Sequence, residues 1–109
     1  MDRQYCASVY CIDFDEGTIL RMYNRKLNKW LQPGGHIADL QLEHPIDAAI
    51  REAYEETGVK VKVIGSSYDG KNYEPIALGH YKNKVGDMID IQFLGIPLTK
   101  ELNNFESTK

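Results

Sequence analysis

Cysteine, positive charge and long apolar runs are all scarce in this chain, and each scarcity excludes something. Only two of the 109 residues are cysteine, Cys6 and Cys11. They stand five apart in one apolar run, so strand alternation points them to opposite faces, and both read as reduced core residues. Acidic side chains outnumber basic ones by 16 to 13, giving a formal net charge of −3 and a pI near 5.5. That balance lacks the broad basic footprint of a protein that grips a nucleic-acid backbone, so no nucleic-acid polymer is expected as a partner. A small anionic ligand stays compatible if a metal or a local basic patch receives it. No stretch approaches the roughly 18 apolar residues of a membrane span, and no charged-then-apolar leader opens the chain. A soluble cytoplasmic protein is the expectation. Repeats, low-complexity segments and linkers are also missing, and the length suits one globular domain over residues 1–109.

What is present reads as strands around a single helix. Residues 5–14 (YCASVYCIDF) are apolar on both alternating faces, as in a central strand covered from both sides. Asp15, Glu16 and Gly17 signal a turn, and residues 18–23 (TILRMY) return as the second arm of a hairpin. Residues 24–32 are a polar connection that ends in Trp30 and Leu31 before the break Pro33-Gly34-Gly35. Pro45 suits a first helical position, Ile46, Ala49, Ile50 and Ala53 recur at helical spacing, and Gly58 supplies the stop. Val59, Val61 and Val63 alternate with lysines as a half-buried strand; residues 73–81 and 88–98 are further strand candidates.

The predicted helix carries an unfavourable arrangement of charge. At about 100° per residue, Glu52, Glu55 and Glu56 fall within an arc of roughly 100°, away from the apolar stripe. Like charges at i,i+3 and i,i+4 repel by a few tenths of a kcal/mol per pair. They also occupy the C-terminal half, where the helix dipole favours cations. A solvated acidic face is the ordinary reading of such a cluster. A divalent cation would reverse both penalties, and Mg²⁺ prefers a few carboxylates together with substrate phosphate oxygens. The upstream glycines can bring backbone close to a ligand because no Cβ intrudes, although a plain turn would use them equally well.

Glu43, seven intervening residues, then Arg51-Glu52-Ala53-Tyr54-Glu55-Glu56-Thr57-Gly58-Val59 resembles the Nudix box, G-x5-E-x7-R-E-U-x-E-E-x-G-U with U apolar. Every specified position from Glu43 onward matches. The preceding run from Trp30 to Ile37 also looks like the family's approach to the box. The resemblance covers about residues 5–98 and implies an α/β fold, the Nudix α/β/α sandwich with a mixed sheet. It implies metal-dependent hydrolysis, with Mg²⁺ or Mn²⁺, of a diphosphate bond in a small molecule: a nucleoside diphosphate linked to another moiety. Glu55 and Glu56 are then the first choices as metal ligands, Glu52 a third ligand or the base that activates water, and the Gly34 carbonyl a further ligand. Glu43 and Arg51 would orient the acids. Some relatives take a catalytic base from a later loop, for which Asp87 and Asp90 stand near; Asp90 could equally be an outward strand residue.

The chain departs from the pattern twice. Seven residues separate Gly35 from Glu43 where the motif has five, so the loop between glycines and helix carries a two-residue insertion. Family members usually continue through another strand and a closing helix, whereas residues 100–109 (KELNNFESTK) are polar. A truncated or short member lacking the C-terminal helix is therefore expected, with dimerisation or marginal stability to follow from exposed sheet. The competing reading is a catalytically silent Nudix-fold module that binds nucleotides or proteins. Arg21, Arg25, Lys26 and Lys29 could meet phosphates but read more simply as a solvated loop. His36, His44 and His80 show no metal-ligand spacing. Trp30, Tyr73 and Tyr81 could stack a base, though packing is the commoner role of such rings.

Overall fold

A computed structural model of the chain describes residues 3–67, 69–70, 72–82, 84 and 86–98. The polar tail that prompted the expectation of a shortened domain lies outside the described residues. Two long strands, β1 (Arg3–Asp13) and β8 (Asp87–Pro97), form the middle of a mixed sheet. They run parallel, in register from Arg3 opposite Asp87 to Cys11 opposite Gly95. On the outer side of β1 lie β5 (Gly34–Ile37) and β2 (Thr18–Ile19), both antiparallel to it. On the outer side of β8 lie β7 (Ala77–Lys82), along its first half, and β6 (Val61–Ile64), along its second. Among the described residues, the remaining strands, β3 (Met22–Asn24) and β4 (Lys29–Leu31), pair only with each other.

One helix, α1 (Pro45–Thr57), covers one face of this sheet. Its start is set by Pro45, whose missing N–H costs nothing in the first turn, and by His44, whose Nδ1 accepts the Ile46 N–H at 3.0 Å. Ala48, Ala49 and Ala53 are fully buried. Their small side chains let the helix settle closely on Ala7, Val9, Cys11 and Phe93, the odd-numbered face of the two central strands. The helix ends where Gly58 takes a left-handed φ of 78° and returns its N–H to the Tyr54 carbonyl at 2.8 Å. Among the described residues, no helix is long and apolar enough to cross a membrane.

Three expectations are corrected. The hairpin after β1 is shorter than residues 18–23, because β5 takes the edge of β1 over residues 5–8 and Pro33 already accepts the Val9 N–H. The returning chain therefore leaves β1 at Leu20, which is buried, and its continuation becomes β3. The connection over residues 24–32 is itself a hairpin, turned at Asn28 with φ 55° and braced by Leu27 N–H on the Asn24 side chain. The glycines of the apparent break form strand β5.

Candidate active site

Strand β5 and helix α1 build the site together. Pairs of odd-numbered residues exchange the ladder bonds between β1 and β5, so the N–H and carbonyl of Gly34 and of His36 point outward, to the free edge. On that edge the Gly34 N–H donates to Glu56 Oε1 at 2.8 Å, and the His36 carbonyl accepts from Arg51 Nη2 at 3.4 Å. The glycines are required by contact. A Cβ on Gly35 would run into the Glu52 carboxylate, and one on Gly34 would strike the Cβ of Ser8 and the Ala7 carbonyl. The helix thus lays its acids directly against the backbone of the strand.

Arg51 sits at the centre of these acids. Its Nε and Nη2 make a two-point contact with Glu43 at 2.8 and 3.0 Å, and its Nη1 reaches Glu52 at 2.8 Å and Glu55 at 2.9 Å. The planar fork of guanidinium suits such shared carboxylate binding, which a lysine could not reproduce. The contact with Glu43 holds that carboxyl below its ordinary range and pushes the guanidinium further up. Glu56 alone of these acids lies outside the clamp. Partial burial against β5 raises its pKa; the Gly34 N–H opposes that rise, and the charges of Glu52 and Glu55 add to it.

The same glycines border a cleft on the other face of the sheet. It encloses about 370 Å³, with Cys6, Ser8 and Asp90 on its floor, Tyr81 beside them, and Asn24, Leu27, Leu31 and Gln32 above, from the β3–β4 hairpin and its exit. The Ser8 hydroxyl donates to both oxygens of Asp90, at 3.0 and 3.1 Å, and Gln92 Nε2 donates to Asp90 Oδ2 at 3.2 Å. Burial, followed by the charge of Asp90, pushes the Cys6 thiol up.

The residues singled out from sequence divide clearly. Glu43, Arg51, Glu52, Glu55, Glu56 and Gly34 are brought together on one edge. Among the described residues, however, no three acidic, histidine or cysteine side chains are arranged to hold a metal ion, because Arg51 draws Glu52 and Glu55 to itself. Asp90 belongs to the cleft floor rather than to a loop, and Asp87 lies elsewhere, 3.6 Å from His80. Arg21, Arg25, Lys26 and Lys29 are exposed, and none lines the cleft. Trp30 packs edge-on against Tyr23, with centroids 5.4 Å apart, and Tyr73 packs on the core, leaving Tyr81 as the aromatic at the cleft. Of the two cysteines, Cys11 is core, whereas Cys6 is a half-buried cleft residue and not the core residue expected. Sequence reasoning also missed Ser8 and Gln92. Their only signal is polarity at even positions of strands whose central odd positions, 5–11 and 89–93, are apolar.

A family model of the NUDIX domain matches residues 3–106. Solved structures agree with that match. A NUDIX-family hydrolase from Clostridium perfringens superposes with a TM-score of 0.73 at 24% identity, over 99% of this chain and 74% of that one. A NUDIX hydrolase from Nitrosomonas europaea gives a TM-score of 0.69 at 18% identity, covering 94% of this chain and 64% of that one. The Ap4A hydrolase of C. elegans gives 0.64 at 19% identity, covering 87% and 68%. The chain thus spans roughly two thirds to three quarters of these proteins' length. No curated protein sequence matches it. At these identities the superpositions speak for the fold alone, and it is the family match over nearly the whole chain, together with the motif residues from Glu43 to Val59, by which the chain belongs to the NUDIX family.

Proposed function

We propose that the chain hydrolyses a diphosphate bond in a small nucleoside diphosphate derivative, with Mg²⁺ or Mn²⁺ held at the edge of β5. The observation that carries this reading is the contact of helix and glycine strand. Gly35 leaves space for the Glu52 carboxylate, and Gly34 binds Glu56 through its N–H while its carbonyl faces the same edge. Three carboxylates and a carbonyl are hard oxygen donors, the set that suits these ions. Glu52, Glu55, Glu56 and Gly34 would hold the metal, which neutralises diphosphate oxygens and acidifies water when bound. Glu52 and Glu55 can turn from Arg51 by side-chain rotation, since both are attached to it at single contacts.

The protein's own part follows from the clamp. Arg51, fixed by two bonds to Glu43, keeps Glu52 and Glu55 on the side of α1 that faces β5. It thereby lowers the entropy lost when the acids take up their working positions. Glu52 is the least exposed of the acids at Arg51, with 19% of its side chain accessible against 26% for Glu43 and 54% for Glu55. That placement makes Glu52 the fitting group to take a proton from attacking water, if it is not itself a ligand. The organic half of the substrate has a place beyond the glycines, in the cleft.

The test is a titration of Mg²⁺ and Mn²⁺ against a panel of dinucleotides and nucleotide sugars, read as product release and as melting temperature. Metal-dependent release from at least one substrate, with a higher melting temperature at saturating metal, is the expected result. A chain that neither binds metal nor turns over any of the panel would instead be a silent module of the same fold.

A further inference from the structure

From the cleft floor we infer that Asp90 selects the substrate's base, accepting a hydrogen bond from an exocyclic amino group and disfavouring bases that carry a keto oxygen there. This rests on the hydrolase reading only for the position of the diphosphate. Among the described residues that line the cleft, none is basic, and Asp90 makes no ion pair. A phosphate placed there would meet a carboxylate with no counter-charge. The cleft therefore takes the uncharged part of the ligand, while the diphosphate stays across Gly34 and Gly35 at the acids of α1. A volume of about 370 Å³ lies near the lower end of small-molecule sites and suits one nucleoside-sized group. Leu27 and Leu31 above, and Tyr81 beside the floor, offer the apolar surface that a planar ring prefers.

The direction of the preference comes from the donors already on Asp90. A carboxylate has about four acceptor positions. The single proton of Ser8 Oγ is shared between the two oxygens, and Gln92 Nε2 donates to Oδ2. One acceptor position on Oδ1 is left, at a group that lines the cleft. The Gln92 amide is itself oriented, because its Oε1 faces the Tyr10 hydroxyl at 3.5 Å. Ser8 and Gln92 both direct donors toward Asp90, with the Gln92 amide turned that way by Tyr10, and Asp90 receives them through its oxygens as acceptors. The amino groups of adenine and cytosine satisfy the open position; the keto oxygens of hypoxanthine and uracil would place lone pairs against a carboxylate.

Two measurements test this together. The first compares kcat/KM for ADP-ribose with IDP-ribose and for CDP-glucose with UDP-glucose, in Mg²⁺. The second compares binding of adenosine with inosine, and of cytidine with uridine, in EDTA. In at least one pair the amino member should lead by roughly 10- to 100-fold, in turnover and in binding alike. In Asp90→Asn the amide oxygen remains the acceptor for Ser8 and Gln92, so its NH₂ takes the Oδ1 position and the preference should shift toward the keto member. Turnover with ratios within threefold in both pairs overturns the inference and leaves the hydrolase reading standing. Discrimination in binding without any turnover does the opposite. Absence of both turnover and nucleoside binding removes both. The wild-type ratios decide even if the variant does not fold.

Discussion

Glu56 is where the stability of the free protein and the requirements of the proposed reaction conflict. It is the acid that Arg51 does not reach, its carboxylate is pressed against Gly34, and Glu52 and Glu55 repel it. Removing its charge should relieve that repulsion while keeping the acceptor for the Gly34 N–H, because a glutamine oxygen can take the same bond. Glu56→Gln is therefore expected to stabilise the metal-free protein by roughly 0.5 kcal/mol, the scale of one or two like-charge pairs on a helix surface. In a domain of this size that is about 2–4 °C in melting temperature. The same change should cost metal-dependent turnover at least about 100-fold, since a proposed ligand charge is lost. Differential scanning in EDTA and initial rates in Mg²⁺ measure the two effects separately. A variant that is both destabilised and fully active would show that Glu56 is an ordinary surface acid.

At the scale of elements, β5 divides its two glycines between folding and function. A methyl on Gly34 would press into the backbone of β1 at Ser8 and Ala7, whereas a methyl on Gly35 would meet only the end of the flexible Glu52 side chain. Gly34→Ala should thus cost stability, on the order of 1–3 kcal/mol for an overpacked strand pair. Gly35→Ala should melt within about 1 °C of the parent yet bind Mg²⁺ more weakly, because Glu52 is displaced from the strand. Paired melting curves and metal titrations would expose the opposite outcome, a stable Gly34 variant and an unfolded Gly35 variant. This strand also marks the limit of what could be read in advance. The helix, its ends and the register of its acids were legible, because one periodic segment contains its own geometry. Strand β5 was not: two of its four residues are glycine, with little intrinsic preference for strand, and its conformation comes from the open edge of β1. The early exit of the chain at Leu20 follows from the same competition for that edge. Ser8 and Gln92 were overlooked because an isolated polar residue in a central strand does not reveal that its face borders a cleft.

Over the whole molecule, the opposed shifts of Glu43 and Glu56 make stability depend on pH in a way that the metal should change. Glu43 has a lowered folded pKa, so its contribution is present above the ordinary glutamate value and is lost as pH falls through the folded one. Glu56 has a raised folded pKa, so its contribution is present below the ordinary value and is lost as pH rises through the folded one. Starting from neutral pH and acidifying, the metal-free protein should first gain stability as Glu56 takes its proton, then lose it as Glu43 takes its own. The maximum lies near the ordinary glutamate pKa of about 4.3. Both acids are near the surface, so each limb amounts to a few degrees at most, on the order of 1 kcal/mol or less after screening. Cys11, which burial pushes up to about 12, acts only on the alkaline side, where a folded thiol resists the ionisation that unfolding would permit. Saturating Mg²⁺ should invert the acid limb. An ion bound at Glu56 removes the advantage of protonating it, and metal at 100 times its Kd adds about 2.7 kcal/mol at neutral pH, which falls away as protons compete for the carboxylates. Melting curves from pH 7 down to 4, in EDTA and in Mg²⁺, should therefore approach one another as the pH falls, the first rising and the second declining. Parallel curves would mean that metal binds away from Glu56, and a metal-free curve that only declines would mean that the strain assigned to this carboxylate is not there.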